Sequence, residues 1–182
     1  RIFGVDMRIV DDEGNVLPQD GEAEGHLHVR GPWIASGYFK GAGAENFTED
    51  GWFRTGDVGV LHPKGYMEIT DRSKDVIKSG GEWVSSIEVE NAASDHPDVA
   101  MAACIGLHHP KWQERPFLVV QPVPGKTPDK DEIKACIERK CAKWWMPDAI
   151  VFVEALPLGA TGKILKRELK EEYKDFDLEG AA

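Results

Sequence analysis

The stretch at residues 70–90 constrains the fold most, because three structural signals follow one another in it without a gap. It reads TDRSKDVIKSGGEWVSSIEVE. It begins with alternating charges, at Asp71, Arg72, Lys74 and Asp75. The pair Gly80-Gly81 then stands between two apolar pairs, and paired glycines supply the positive φ that tight turns need. Residues 75–85 are therefore predicted to form a β-hairpin that turns at the glycines.

A helix is predicted to begin directly after this hairpin. Ser85 and Glu88 fit a capping box, in which the serine caps the first turn and the glutamate occupies the third helical position. The apolar face of that helix is expected to run to His96, and Pro97 to end it. A double glycine is a weak signal. From the residues alone, an ordinary surface hairpin between two domains is therefore about as well supported as a functional element.

The hydrophobic pattern changes on either side of this stretch. Upstream, alternating apolar and polar residues predict strands at 5–10, 25–30, 58–61 and 66–70. Downstream, helices are predicted from Ser86, from Thr127 and after Gly162, with strands at 99–107, 117–121 and 150–153. The predicted fold class is α+β, with a β-rich unit at residues 1–72 and a smaller α+β unit at residues 73–182.

Several side chains receive local predictions from this pattern. Thr127 is expected to be the N-cap of the middle helix, with Pro128 at the first helical position. The apolar face of that helix is predicted to contain Ile133, Cys136, Ile137, Cys141 and Trp144. In the strand at 25–30, His26 and His28 are expected on the solvated face. They lack a nearby third ligand, so no metal site is predicted within this chain.

Composition limits the classes of partner. The chain has 182 residues, and 22 basic against 32 acidic side chains give it a net charge of −10. This balance argues against a nucleic-acid or anionic-membrane surface as the main partner. The longest apolar run, at 99–107, is shorter than the ~20 residues that span a bilayer. The three cysteines lack disulfide or zinc spacing, which is typical of buried free thiols in a reducing cytoplasm.

Two polar residues outside the central stretch stand where they could carry chemistry. Asp57 follows a glycine at the end of an extended segment, where a carboxylate can accept two hydrogen bonds from a ribose diol. The residues alone favour an ordinary turn aspartate. Lys163 follows Thr161-Gly162 before the last helix, and a lone lysine in that position is normally exposed to solvent.

Three segments together resemble the adenylate-forming superfamily, which comprises acyl-CoA synthetases, firefly luciferase and the adenylation domains of peptide synthetases. They are GWFRTGD at 51–57, the stretch at 70–90, and PLGATGK at 157–163. The sequences DRSKDVIKSGGEWVSS and PKWQERP are most similar to the medium- and long-chain fatty acyl-CoA synthetases. The resemblance extends from about Gly4 to Tyr173. It implies the β-rich end of a large N-terminal domain, followed by a small mobile lid domain.

The resemblance implies roles for five of the polar residues. Asp57 matches the aspartate that binds the ribose hydroxyls of ATP, and Arg72 matches an arginine beside the nucleotide. Lys74 holds the hinge position about which the small domain swings, and it lies near the nucleotide, as does Lys78. Lys163 matches the catalytic lysine of the adenylation half-reaction, whose cation neutralises charge as the substrate carboxylate attacks the α-phosphate.

The hairpin is implied to contact the acyl-adenylate and coenzyme A. Gly80 and Gly81 are expected to line the passage for the pantetheine arm, because a side chain would project into a narrow tunnel. Glu82 and Trp83 belong to the same contact surface. This pair departs from the commoner residue types of the superfamily, which leaves the individual roles of the two side chains open.

The implied activity is that of an AMP-forming acid–thiol ligase, which is cytoplasmic and acts on a fatty or related carboxylic acid, ATP and coenzyme A. Mg²⁺ is expected on the phosphates, with its ligands outside this chain. The chain is expected to be the C-terminal portion of a longer protein and to be inactive alone. A peptide-synthetase-type adenylation domain is disfavoured because no carrier domain follows Tyr173, and a non-catalytic nucleotide- or protein-binding module stays open. The sequence also leaves open whether the protein forms a homo-oligomer.

Overall fold

A computed structural model describes residues 3–178, and these residues divide into two compact units after Lys74. The first unit is a four-stranded antiparallel meander in the order β1-β2-β3-β4. Its strands are β1 (Asp6–Val10), β2 (Glu24–Arg30), β3 (Phe53–Leu61) and β4 (Met67–Arg72). Ile9, Leu27 and Leu61 form its buried centre, as the alternating pattern predicts for a sheet with one buried face.

The second unit is an α+β domain. The hairpin strands are β5 (Ile77–Ser79) and β6 (Glu82–Val84), and the longer strands are β7 (Val99–His109), β8 (Gln113–Pro122) and β9 (Ala149–Phe152). The helices are α1 (Ser86–Ala93), α2 (Lys130–Glu138) and α3 (Lys166–Glu172). β8 pairs antiparallel with β7 and β5, and parallel with β9. The α+β fold class predicted from the sequence is therefore confirmed.

The central strands of this sheet are buried on both faces, which explains their continuous apolar sequence. Alternate residues of β7 and β8 enter two different cores. One core contains Cys104 and Leu118 together with residues of α1 and α2, and the other contains Ile105 and Phe117 together with Leu169 of α3. The loops that leave the ends of this sheet are therefore attached to strands packed on both faces.

The sequence predicts two N-cap residues: Ser85 is confirmed, and Thr127 is wrong. The Ser85 hydroxyl accepts the backbone N–H of Glu88 at 3.2 Å, as the capping pattern predicts. The N-cap of α2 is Asp129 rather than Thr127, and its carboxylate accepts the N–H groups of Asp131 and Glu132. An ionised oxygen opposite the positive end of the helix dipole caps better than a hydroxyl, which explains the difference.

Two predicted helices end earlier than their apolar patterns suggest. α2 ends at Glu138, so Cys141 is half-buried beyond the helix and Trp144 is exposed. α1 ends at Ala93, and the buried His96 lies in the following turn, where its ring contacts the Glu132 carboxylate at 3.1 Å. Cys104 and Cys136 are buried thiols, as predicted. Within residues 3–178, no helix is both long and apolar enough to cross a membrane.

Candidate functional site

The structure places Asp57 and Arg72 opposite each other on β3 and β4. Their side chains approach to 3.5 Å, between Arg72 Nε and Asp57 Oδ1. Gly56, in the left-handed region at φ +77°, accepts the backbone N–H of Ser73, and this contact fixes the end of β4 beside Asp57. The Asp57 carboxylate is a quarter exposed and Arg72 more than half exposed. Both groups can therefore meet a ligand from solvent.

Lys74 is the exposed last residue of the first unit and lies in the turn that follows β4. Before it, the carboxylate of the buried Asp71 accepts the backbone N–H of Arg72 at 2.7 Å. The division between the units thus falls beside a lysine on a turn, after a strand end that is held by hydrogen bonds.

The predicted hairpin is present, with the pairs Ile77–Val84, Lys78–Trp83 and Ser79–Glu82. Gly80 and Gly81 form its two-residue turn with φ of +65° and +88°, the left-handed values that a type I′ turn requires. A Cβ atom added to Gly80 would lie 2.9 Å from Cε3 of Trp112, whereas one added to Gly81 would face open space. The two glycines therefore have different reasons to lack a side chain.

The other predicted hairpin residues surround this turn. The Lys78 ammonium lies 5.7 Å from the centroid of the Trp83 ring, and its backbone N–H donates to the Glu114 carboxylate at 2.9 Å. Glu82 is exposed. The structure thus brings these three side chains together with the glycines on one short hairpin.

A cleft of about 600 Å³ adjoins the hairpin, and most of the residues that line it have no role predicted from the sequence. Trp112 and Trp144 are both more than two-fifths exposed. Trp112 also accepts the Gly80 N–H on its carbonyl, so the turn is attached to the cleft wall. The segment PKWQERP at 110–116, which contains Trp112, could be singled out from the sequence only by its family resemblance. Two exposed tryptophans form an apolar surface of the kind that marks binding sites, and they are the feature by which this cleft could have been recognised.

Lys163 lies on a separate loop of the second unit. A bridge between Leu158 and Ile164 closes that loop, and the Gly159 N–H donates to the Lys163 carbonyl at 2.8 Å. Gly162, at φ +77°, supports the turn just before the lysine. The backbone around Lys163 is therefore bonded while its side chain is exposed. The chain between the hairpin and this loop contains α1, β7, β8, α2 and β9.

Lys166, three residues further on, is largely buried in a polar network. Its ammonium contacts the Ser86 hydroxyl at 2.6 Å and the Glu90 carboxylate at 2.7 Å. Glu90 also accepts the backbone N–H of Cys104 at 2.7 Å. The network joins α3 to α1 and β7. The ammonium of Lys166 is thus engaged by internal contacts, whereas Lys163 is exposed.

We predict that Lys166→Met lowers the free energy of unfolding by about 3 kcal/mol, because it leaves the Glu90 carboxylate, only 16% exposed, without its cation. Lys163→Ala is expected to change that free energy by less than about 0.5 kcal/mol, because its side chain is exposed. Urea denaturation of this chain followed by circular dichroism measures both values. Equal losses in the two variants would contradict the different roles assigned to the two lysines.

The prediction that His28 is solvated is wrong, because the residue is only 6% exposed. Its Nδ1 atom is buried without a hydrogen-bond partner among the described residues. Burial lowers the pKa of His28 to about 4, and the positive charges of Arg8 and Arg54 act in the same direction. The register of β2 places the ring against these arginines, which alternation within one strand could not reveal. His26 is half-buried and contacts Asp12 and Ser73.

We therefore expect acid to weaken the fold through His28. The unfolded chain takes up a proton near pH 6.5 and the folded chain near pH 4, so the free energy of unfolding falls as the pH falls between these values. Thermal melts between pH 7 and 4 should show a smaller decline in His28→Gln than in the wild type. His108→Gln, at an exposed position, is the control. An unchanged decline in His28→Gln would contradict this assignment.

Within the described part of the chain, no three histidine, cysteine or carboxylate side chains converge in a way that could hold a metal ion. Of the charged residues with a predicted role, Asp57 and Arg72 lie beside each other in the first unit, and Lys163 is exposed on a loop of the second unit.

Comparison with known families identifies the class of the second unit. Residues 88–163 match the model of the AMP-binding enzyme C-terminal domain. The match covers the segment from α1 to the exposed lysine loop and agrees with the observed α+β topology. The resemblance to adenylate-forming enzymes that the sequence motifs indicate is therefore confirmed.

Individual relatives extend the similarity over both units. The chain is 56% identical over 173 residues to a 3-methylmercaptopropionyl-CoA ligase of Ruegeria pomeroyi, covering 95% of the chain and 32% of that protein. It is 48% identical to a long-chain-fatty-acid–CoA ligase of Thermus thermophilus, covering 94% and 32%. The crystal structure of ATP-bound MatB from Rhodopseudomonas palustris superposes with a TM-score of 0.81 at 34% identity, over 94% of the chain and 34% of MatB. The chain thus spans about a third of the length of these relatives.

Proposed function

We propose that this chain is the C-terminal portion of an AMP-forming acyl-CoA synthetase, in which the first unit ends the large N-terminal domain and the second unit is the mobile lid. The full-length protein would convert a carboxylic acid and ATP to acyl-AMP and pyrophosphate, and then acyl-AMP and coenzyme A to acyl-CoA and AMP. The CoA-ligase relatives, aligned over nearly all of this chain, support the class of reaction. The roles of single residues are argued below from their surroundings.

Asp57 and Arg72 are proposed to hold the nucleoside end of ATP. A carboxylate can accept both hydroxyl hydrogens of a ribose diol, which requires that it be ionised and open to solvent. The Asp57 carboxylate is a quarter exposed and lies 3.5 Å from Arg72 Nε, so both groups can meet the same ligand from solvent. Lys74 and Lys78 add cations near the polyanionic ligand, and Lys74 is proposed to be the hinge.

Lys163 is proposed to act in the adenylation step. When a carboxylate attacks the α-phosphate of ATP, two anions must approach, and a cation between them stabilises the charge that develops. Lys163 suits this task because its backbone is fixed while its side chain is free to reach outward. Mg²⁺ would accompany the phosphates of ATP and neutralise part of their charge.

The hairpin is proposed to act in the thioester step. Gly81 faces open space at the turn, so the slender pantetheine arm can pass there without meeting a side chain. Trp112 packs against Gly80 and offers an apolar wall to that arm. Glu82 and Trp83 stand on the next strand of the turn and would contact the adenylate or coenzyme A.

The observation that carries this proposal is the presence of two separate exposed tips on one compact unit, the glycine turn and the Lys163 loop. Each has a bonded backbone, and each is followed by a helix packed on the same sheet. Two such tips can serve two half-reactions if the second unit rotates about Lys74 after the first half-reaction and before the second. A rotation of this kind would bring the Lys163 loop to the α-phosphate for adenylation and then the glycine turn to the acyl-adenylate, where the thiol of coenzyme A attacks the acyl carbonyl and AMP leaves.

Among candidate acids, a short thioether acid is the first choice, because the 56% identical relatives are 3-methylmercaptopropionyl-CoA ligases. Medium- and long-chain fatty acids are the alternatives. The test is acyl-CoA formation by the full-length protein with ATP, coenzyme A and each acid in turn, measured by mass spectrometry. Product from at least one acid is expected. No acyl-AMP and no acyl-CoA from any acid would leave a non-catalytic binding module as the better account.

A further inference from the structure

We propose that Arg115 is a positioning residue for the thioester-forming step, because it holds the glycine hairpin against the body of the second unit. This inference rests on the proposed function of the hairpin. Arg115 is not assigned a contact with substrate. It would act through Ser79, the last residue of β5 before the turn.

The hairpin has few backbone bonds to the rest of its sheet. Within the described residues, its only ladder pair with β8 is Ser79 opposite Gln113. Gln113 itself has φ of +71°, a left-handed value that is unusual for a residue with a side chain and that bends the strand at this point. The N–H of Lys78 donates to the side-chain carboxylate of Glu114 on β8 at 2.9 Å. Hydrogen bonds to side chains therefore contribute much of the attachment between the hairpin and the rest of the second unit.

Arg115 makes the most extensive of these side-chain attachments. Its Nε donates to both Asp148 oxygens at 3.0 Å, and its Nη2 donates to Asp148 Oδ1 at 2.7 Å and to the Met146 carbonyl at 3.1 Å. Its Nη1 donates to the Ser79 hydroxyl at 3.1 Å and to the Trp144 carbonyl at 3.0 Å. These contacts account for the five N–H donors of the guanidinium. Arg115 thus has no donor left for a bound anion, which favours positioning over ligand binding.

The groups on the far side of this guanidinium are themselves fixed. The Asp148 N–H donates to the Pro116 carbonyl at 2.9 Å, and Met146 packs against the core that α1 and α2 cover. The Arg115 side chain is 15% exposed and Asp148 26% exposed, so the pair is partly shielded from water. Arg115 therefore connects the hairpin, through Ser79, to an anchored wall of the cleft. A lysine has no planar fork and could not make all of these bonds at once.

The test compares Arg115→Lys and Ser79→Ala with the wild type in the full-length protein. Adenylation is followed from acid and ATP, and thioester formation from supplied acyl-AMP and coenzyme A. We expect thioester formation to fall roughly 10²-fold in Arg115→Lys, because small misplacements of reacting groups have effects of that size. Ser79→Ala, which removes one charge-assisted bond, is expected to cost about tenfold. Adenylation should stay at the wild-type rate in both variants.

A second readout follows the hairpin directly. Hydrogen exchange should speed up at the amides of Gly80 and Glu82 in Ser79→Ala, while the amides of α2 stay as protected as in the wild type. Equal losses in both half-reactions, or an unchanged thioester rate in both variants, would overturn the role of Arg115 and leave the proposed function standing. A wild-type protein that forms no acyl-AMP would overturn the proposed function, and this inference with it.

Discussion

Lys163→Ala is expected to slow acyl-adenylate formation by roughly 10²–10³, the loss seen when one group that stabilises a developing anion is removed. Conversion of supplied acyl-AMP and coenzyme A to acyl-CoA should continue at the wild-type rate. The reason is the isolation of Lys163: its side chain is exposed on a closed loop of the second unit, and the hairpin is a different tip. Rapid-quench measurement of each half-reaction in the full-length protein tests this.

Arg167→Ala is the matched control, because it removes an exposed cation from the first turns of α3, close to Lys163 in sequence. Both half-reactions should be unaffected in that variant. A fall of adenylation and thioester formation together in Lys163→Ala would show that the lysine serves both steps or supports the fold. Comparison with its urea denaturation curve separates these two outcomes.

Gly81→Leu is expected to have the opposite profile. At Gly81 a side chain would project into the open space where the pantetheine arm is proposed to pass, and the φ of +88° adds backbone strain. Thioester formation from preformed acyl-AMP should fall by at least roughly 10², while adenylation stays near the wild-type rate. Single-turnover kinetics with saturating coenzyme A measures the effect.

Backbone strain alone is controlled by Gly125→Leu. Gly125 lies in the same unit with φ of +78°, and a Cβ added there would also face open space. That variant should lose a similar amount of stability and keep both half-reactions. If Gly81→Leu and Gly125→Leu reduce thioester formation equally, the hairpin glycines are only turn residues.

The elements that the sequence predicts well are those with local causes. The double glycine requires left-handed backbone and therefore predicts the turn at Gly80 and Gly81, and the serine at position 85 caps the helix that follows. The buried strands β7 and β8 could be predicted from their continuous apolar runs. All of these depend on residues that are close together in the chain.

The parts that sequence reasoning missed depend on contacts between distant residues. The pairing of Asp57 with Arg72 follows from a register that shifts between Val58 and Gly59, and no local pattern encodes that shift. Lys166 is buried because α3 packs beside Ser86 and Glu90, some 80 residues earlier in the chain.

Arg115 illustrates the same limit most clearly. A charged side chain at the start of a buried strand suggests a fixed partner, but the identity of its partners, Ser79 and Asp148, comes only from the fold. The start of α2 is a different case, because Thr127 and Asp129 are both candidate N-caps within three residues. Asp129 caps the helix, since its negative charge interacts favourably with the positive end of the helix dipole.

The most direct test of the two-tip mechanism is to measure, in one turnover, the acyl-AMP and acyl-CoA formed by full-length Lys163→Ala and Gly81→Leu from the same labelled acid, ATP and coenzyme A. Lys163→Ala should form little of either product, yet make acyl-CoA when acyl-AMP is supplied. Gly81→Leu should accumulate acyl-AMP and form little acyl-CoA. Loss of the same step in both variants would contradict the account.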